Sequence, residues 1–138
     1  MLLWKERRSG KEALLIDGAR RVGKSWIVEE FAKNEYDSYI LIDFSNTKNS
    51  IRQLFIDYEG QMDAFFMHLR LETGVKLFDR KSLIVFDEIQ NFPKAREAIK
   101  YLVKDGRYDY IETGSLMSIN ANVKDINIPS EEHRIDMF

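Results

Sequence analysis

Two clusters of residues in this chain have the types and spacing to handle a phosphate chain. The first is Gly18-Ala19-Arg20-Arg21-Val22-Gly23-Lys24-Ser25, a full match to the pattern GxxxxGK[ST]. Gly18 and Gly23 let the backbone turn tightly, so that successive N–H groups can converge on α/β-phosphates. Lys24 brings a point charge to the β/γ-phosphates, and the Ser25 hydroxyl offers an oxygen to Mg²⁺. Ala19, Arg20, Arg21 and Val22 fill the variable positions, and with Trp26 just beyond they complete the stretch expected to line the bound group. The second cluster is Asp87-Glu88, at the end of the apolar run Leu83-Ile84-Val85-Phe86. An aspartate there suits the metal's coordination shell, often through water. The adjacent glutamate can polarise a water for in-line attack on a γ-phosphate.

Such groups need elements to aim them. Ala13-Leu14-Leu15-Ile16-Asp17 is a short apolar run ending at Gly18, as a buried parallel strand should be. Ile27, Val28 and Phe31 then recur at helical spacing, with Asn34 as a stop. Strand, loop and helix in that order place a helix N-terminus, with its unpaired N–H groups and positive dipole end, against the phosphates. Tyr39–Asp43 reads as a second strand, and Ser45 to Ser50 as a turn. Two amphipathic helices follow: Ile51, Leu54, Phe55 and Tyr58, ended by Gly60, then Met62, Phe65, Phe66 and Leu69, ended by Gly74. Ser82–Asp87 is the clearest strand. Pro93 opens a helix carrying Ala95, Ala98, Ile99, Leu102 and Val103, which Gly106 closes. Tyr108–Thr113 is a fourth strand, and beyond Gly114 the pattern loosens into a short helix and a polar tail. The alternation predicts an α/β fold, with helices on both faces of a parallel sheet and ligands at the carboxyl ends of its strands.

The loop, the run Ile84-Val85-Phe86-Asp87-Glu88-Ile89-Gln90, and Thr113-Gly114-Ser115 together resemble the AAA-type P-loop ATPases of bacteria and archaea. More narrowly, they resemble the branch in which an N-terminal ATPase domain precedes a C-terminal domain of unknown function. The likeness runs over nearly the whole chain, from Leu3-Trp4-Lys5 onward. It implies a three-layer P-loop sandwich of strand order 5-1-4-3-2, with Tyr108–Thr113 inserted between the loop strand and the acidic strand. It also implies ATP·Mg²⁺ as the ligand and hydrolysis to ADP and phosphate. Lys24 and Glu88 would be catalytic, and Ser25 and Asp87 would hold the metal. A hydroxyl of Thr113 or Ser115 would approach the γ-phosphate or the attacking water, a position where many AAA proteins carry Asn; Ser115 as a helix cap is the other reading. Family members are longer, so residues 1–138 are expected to form one AAA-like domain at the N-terminal end of a larger protein. The sheet would be cut near its fifth strand, around His133–Phe138. Self-assembly or a protein partner would engage through a C-terminal region. Arg134 reads either as a finger into a neighbour's site or as a surface arginine.

Composition narrows the rest. A chain of 138 residues, 44% hydrophobic and 12% aromatic, is one domain with a real core. The net charge of −2, with Lys and Arg dispersed, shows no broad footprint for nucleic acid or an anionic membrane. The absence of cysteine excludes disulfides, thiolate metal sites and cysteine nucleophiles. No apolar run approaches the roughly 20 residues of a membrane span, and a soluble cytoplasmic protein is expected. No NKxD motif selects guanine, which favours ATP. Residues 21 and 22 are Arg and Val, where small-molecule kinases carry a further glycine, so water is the expected acceptor. A nucleotide-dependent switch or scaffold with little hydrolysis would use most of the same residues. Gln90 and Asn91 could position water or cap the helix at Pro93, with Asn91 the better cap. His68 reads as a helical surface histidine, and Arg20 and Arg21 as anchors of the loop.

Overall fold

In the computed structural model, the described residues are Lys5, 13–17, 24–114 and 132–136. In chain order they form β1 (Ala13–Asp17), α1 (Lys24–Glu35), β2 (Ser38–Asp43), α2 (Asn49–Asp57), α3 (Met62–Thr73), β3 (Ser82–Asp87), α4 (Pro93–Asp105), β4 (Asp109–Gly114) and β5 (Glu132–Asp136). A 3₁₀ turn, Ile89–Asn91, joins β3 to α4. The strands lie in the order β2-β3-β4-β1-β5, every pair parallel. This is the expected order 5-1-4-3-2, with β4 inserted between β1 and β3. The fifth strand, where a cut was expected, is in place beside β1. The short helix expected after Gly114 lies outside the described residues.

The sheet is buried on both faces, which is why its strands read as near-continuous apolar runs. Leu83 and Val85 of β3 join Leu14, Ile16 and Ile111 against Val28 and Ala32 of α1. The alternate residues, Ile84 and Phe86, face the other way and pack with Phe55, Phe65, Phe66, Leu69, Ile99 and Leu102 of α2, α3 and α4. Three layers result. Among the described residues no helix is long and apolar enough to cross a membrane.

Most helix boundaries follow local chemistry. Gly74 and Gly106 take left-handed φ of 70° and 79° and close α3 and α4, and Pro93 starts α4 where its missing N–H costs nothing. Two boundaries differ from expectation. α2 stops at Asp57, with Tyr58 rather than Gly60 as its cap, and Gly60 at φ 78° turns the chain toward α3. The residue before Pro93 is Phe92, and it, not Asn91, holds the N-cap position of α4; no side chain caps it. Asn91 is instead the last residue of the 3₁₀ turn.

Two polar ties cross the core. Arg96 of α4 meets Glu112 of β4 at 2.7 Å, with side chains 3% and 0% exposed. At the amino edge of the sheet, the Tyr36 hydroxyl donates to Asp109 at 2.6 Å, and Arg80 pairs with the other oxygen of the same carboxylate. Burial and the neighbouring Asp109 carboxylate push the Tyr36 hydroxyl well above the usual range, so it stays a donor. Arg80, at φ 61°, also donates its N–H to Arg107 O at 2.6 Å, which ties the loop before β3 to the loop before β4.

Removing one partner of the Arg96–Glu112 pair strands a charge in the core. Arg96→Met should therefore cost about 3–5 kcal/mol in urea unfolding. Tyr110 offers the opposite case: its hydroxyl is buried with no hydrogen-bond partner among the described residues. Tyr110→Phe should raise the urea midpoint, by about 1 kcal/mol in stability, at unchanged slope. A fall in that midpoint would mean the hydroxyl is bonded in solution.

Candidate active site

The carboxyl ends of the strands meet along one edge. Asp17 of β1 pairs in register with Gly114 of β4, and Phe86 pairs with Glu112, one step before Asp87 and Thr113. Only the loop from Gly18 to Gly23 separates Asp17 from Lys24, the first residue of α1. The start of α1 is therefore within one short loop of this edge. Residues Gly18, Ala19, Arg20, Arg21, Val22 and Gly23 lie outside the described residues, as does Ser115. Lys24 and Ser25 form the first turn of α1, and Trp26 beside them is 67% exposed.

Asp87 continues the row Leu83–Val85, which faces α1, and Thr113 continues from Ile111 on the same face. The two side chains meet: Thr113 Oγ1 donates to Asp87 Oδ1. The same oxygen accepts the backbone N–H of Glu88 at 3.2 Å. One buried hydroxyl thus serves both acidic residues. Asp87 and Glu88 are each 6% exposed, and Thr113 is fully buried.

Glu88 leaves the strand abruptly. Its φ of 54° and ψ of 49° are left-handed, uncommon for a residue with a side chain and costing of order 1–3 kcal/mol. Extended chain would send Asp87 and Glu88 to opposite faces. The left-handed step ends that alternation, and Glu88 Oε2 accepts from Gln90 Nε2 at 2.7 Å. Asn91 N–H donates to Glu88 O at 3.1 Å, closing the 3₁₀ turn. Beyond it, Phe92 stacks on Phe44 at 5.3 Å and meets Phe55 edge-on at 5.6 Å. Arg52 of α2 lies over Phe92 and donates to Phe44 O at 2.8 Å. Phe44 N–H in turn donates to Asp87 O at 2.9 Å. The acidic turn is thereby fixed to β2 and α2 as well as to β4.

The donor chemistry fits Mg²⁺. A carboxylate on the α1 face and a hydroxyl in the first turn of α1 are hard oxygen donors, and Mg²⁺ is commonly held by one or two such groups plus water. Among the described residues no group of three or more His, Cys, Asp or Glu forms a cage, and a site of this kind needs none. His68 is occupied elsewhere. Its Nδ1 lies 2.8 Å from Ala64 O, which makes Nε2 the acceptor for the Tyr58 hydroxyl at 3.1 Å. Arg134 sits in β5, in register with Leu15.

Three contacts are not foreseen in the sequence: the Gln90–Glu88 bond, the Arg96–Glu112 pair and the Arg80 knot. A signal existed for the pair, since Arg96 falls on the apolar stripe of α4 and Glu112 interrupts a buried strand. None existed for the left-handed Glu88, because that conformation is normally announced by Gly or Asn.

The sequence model of one protein family, described as an AAA domain, matches residues 10–133. No curated protein matches the chain.

Thr113→Val keeps the shape and removes the bridging hydroxyl, leaving the Glu88 N–H and the Asp87 carboxylate each short of a bond. It should lower stability by about 1–3 kcal/mol in urea unfolding, with Thr113→Ser losing much less. Equal losses for the two variants would assign the cost to packing rather than to the hydroxyl.

Proposed function

Because the chain belongs to the AAA domain family, we propose that it binds ATP with Mg²⁺ and hydrolyses it to ADP and phosphate. The observation that carries this reading is the buried Asp87-Glu88 pair, held by Thr113 at the carboxyl edge where β1 runs into the GxxxxGK[ST] loop. Loop amides from Gly18 to Gly23 and the N-terminus of α1 would receive the phosphates. Lys24 would hold the β/γ-phosphates. Ser25 and Asp87 would hold Mg²⁺, which when bound neutralises charge developing on the phosphate oxygens. Glu88 would orient a water and take its proton. The Thr113 hydroxyl gives its one proton to Asp87, so its part in the reaction is to position the two acids. Ser115, the next hydroxyl along, is the one proposed to reach toward the γ-phosphate or the water.

Three measurements test the reading. Lys24→Ala should weaken ATP binding and reduce turnover at least on the order of 100-fold. Glu88→Gln should bind ATP·Mg²⁺ as wild type does while turnover falls on the order of 100-fold or more. Unchanged turnover in Glu88→Gln would remove Glu88 as the base. The exposed Trp26 gives an independent readout of binding. In a Trp4→Phe background its fluorescence should change on addition of ATP·Mg²⁺ and not on addition of AMP; a signal blind to nucleotide would place Trp26 outside the binding region.

A further inference from the structure

We propose that Gln90 is a positioning residue for Glu88, fixing the carboxylate from which the water is activated; this rests on the hydrolytic reading above. Side chains two positions apart do not face each other on a helix. Here they meet because Glu88 is left-handed, which folds the chain back and brings Gln90 Nε2 to 2.7 Å from Glu88 Oε2. Among the contacts of described residues, Glu88 is held through its backbone N–H by the Thr113 hydroxyl at 3.2 Å and through its carboxylate by the Gln90 amide.

The support behind Gln90 is rigid. It occupies the middle of the 3₁₀ turn, between the fully buried Ile89 and Asn91, whose N–H bonds back to Glu88 O. Phe92 follows, packed against Phe44 and Phe55. A free glutamate side chain samples many rotamers. A charge-assisted bond from a fixed amide removes much of that freedom before substrate arrives, which is how positioned groups lower a barrier. An amide suits the task better than a cation, because it orients a carboxylate without adding a charge beside the metal's aspartate.

The test is steady-state turnover of the full chain with ATP·Mg²⁺, together with ATP affinity by equilibrium dialysis and urea unfolding. Gln90→Met keeps the length and removes the donor. It should lower kcat on the order of tenfold, with KM and ATP affinity unchanged and a fall in the urea midpoint no larger than that of Thr113→Val. Gln90→Asn keeps a neutral amide donor one methylene shorter and should recover part of that loss. The decisive comparison is the double variant: if Gln90 acts through Glu88, adding Gln90→Met to Glu88→Gln should cost nothing further. Wild-type kcat in Gln90→Met, a matching loss of ATP affinity, or a further tenfold fall in the double variant would each overturn the role. Those outcomes leave the hydrolytic reading standing if Glu88→Gln is itself inactive. A wild-type chain that binds ATP without turning it over would instead overturn the hydrolytic reading, and this role with it.

Discussion

The hydroxyl of Thr113 is the point on which the candidate site depends. It has a single proton and gives it to Asp87, and it takes the N–H of Glu88 in return. Both bonds cross from β4 to the end of β3, so they exist only because β4 lies beside β3 and in this register. A shift of one residue would turn Thr113 to the opposite face of the sheet and put Glu112 in its place. The topology that inserts β4 between β1 and β3 is therefore what brings an oxygen to the two acids. The same insertion places those acids one strand away from the strand that leads into the glycine-containing loop.

β3 is anchored at both ends by unusual backbone. Arg80, just before it, and Glu88, just after it, are the non-glycine residues with positive φ among those described. At the amino end the strain is offset by the Arg80 bonds to Asp109, Gly106 and Arg107. At the carboxyl end it is offset by Thr113, Gln90 and Asn91. The first knot sits at the edge away from the ligand side and serves stability. The second sits where strained backbone commonly accompanies function. Between them β3, with all six residues buried, runs between β2 and β4.

Much of this was legible in the chain itself, for reasons that can be named. The strands Ala13–Asp17 and Ser82–Asp87 each carry four consecutive apolar residues ended by an aspartate, and they form as read. Gly74 and Gly106 mark helix ends because glycine takes positive φ without strain, and Pro93 marks a helix start because its fixed φ and missing N–H suit the first turn. The place of β4 in the sheet came from the resemblance rather than from periodicity, since no local pattern states which strand pairs with which. What stayed hidden was long-range or conformationally atypical. Tyr36, Asp109 and Arg80 are far apart in sequence and meet only after folding. Asn91 carries the right chemistry for a cap but is drawn into the 3₁₀ turn, leaving that position to Phe92.

The Arg96–Glu112 pair has an evolutionary consequence. Its two members sit on α4 and β4, one residue before Thr113, and neither reaches solvent. Replacing either alone takes the opposite charge away from the other in a close-packed interior, whereas replacing both with apolar residues of similar volume need not weaken the fold. The path between those two stable cores runs through an unstable intermediate in each direction. A change at one of the two positions is accordingly better tolerated when the other changes with it. The positions flanking Thr113 thus inherit a constraint that owes nothing to the chemistry beside them.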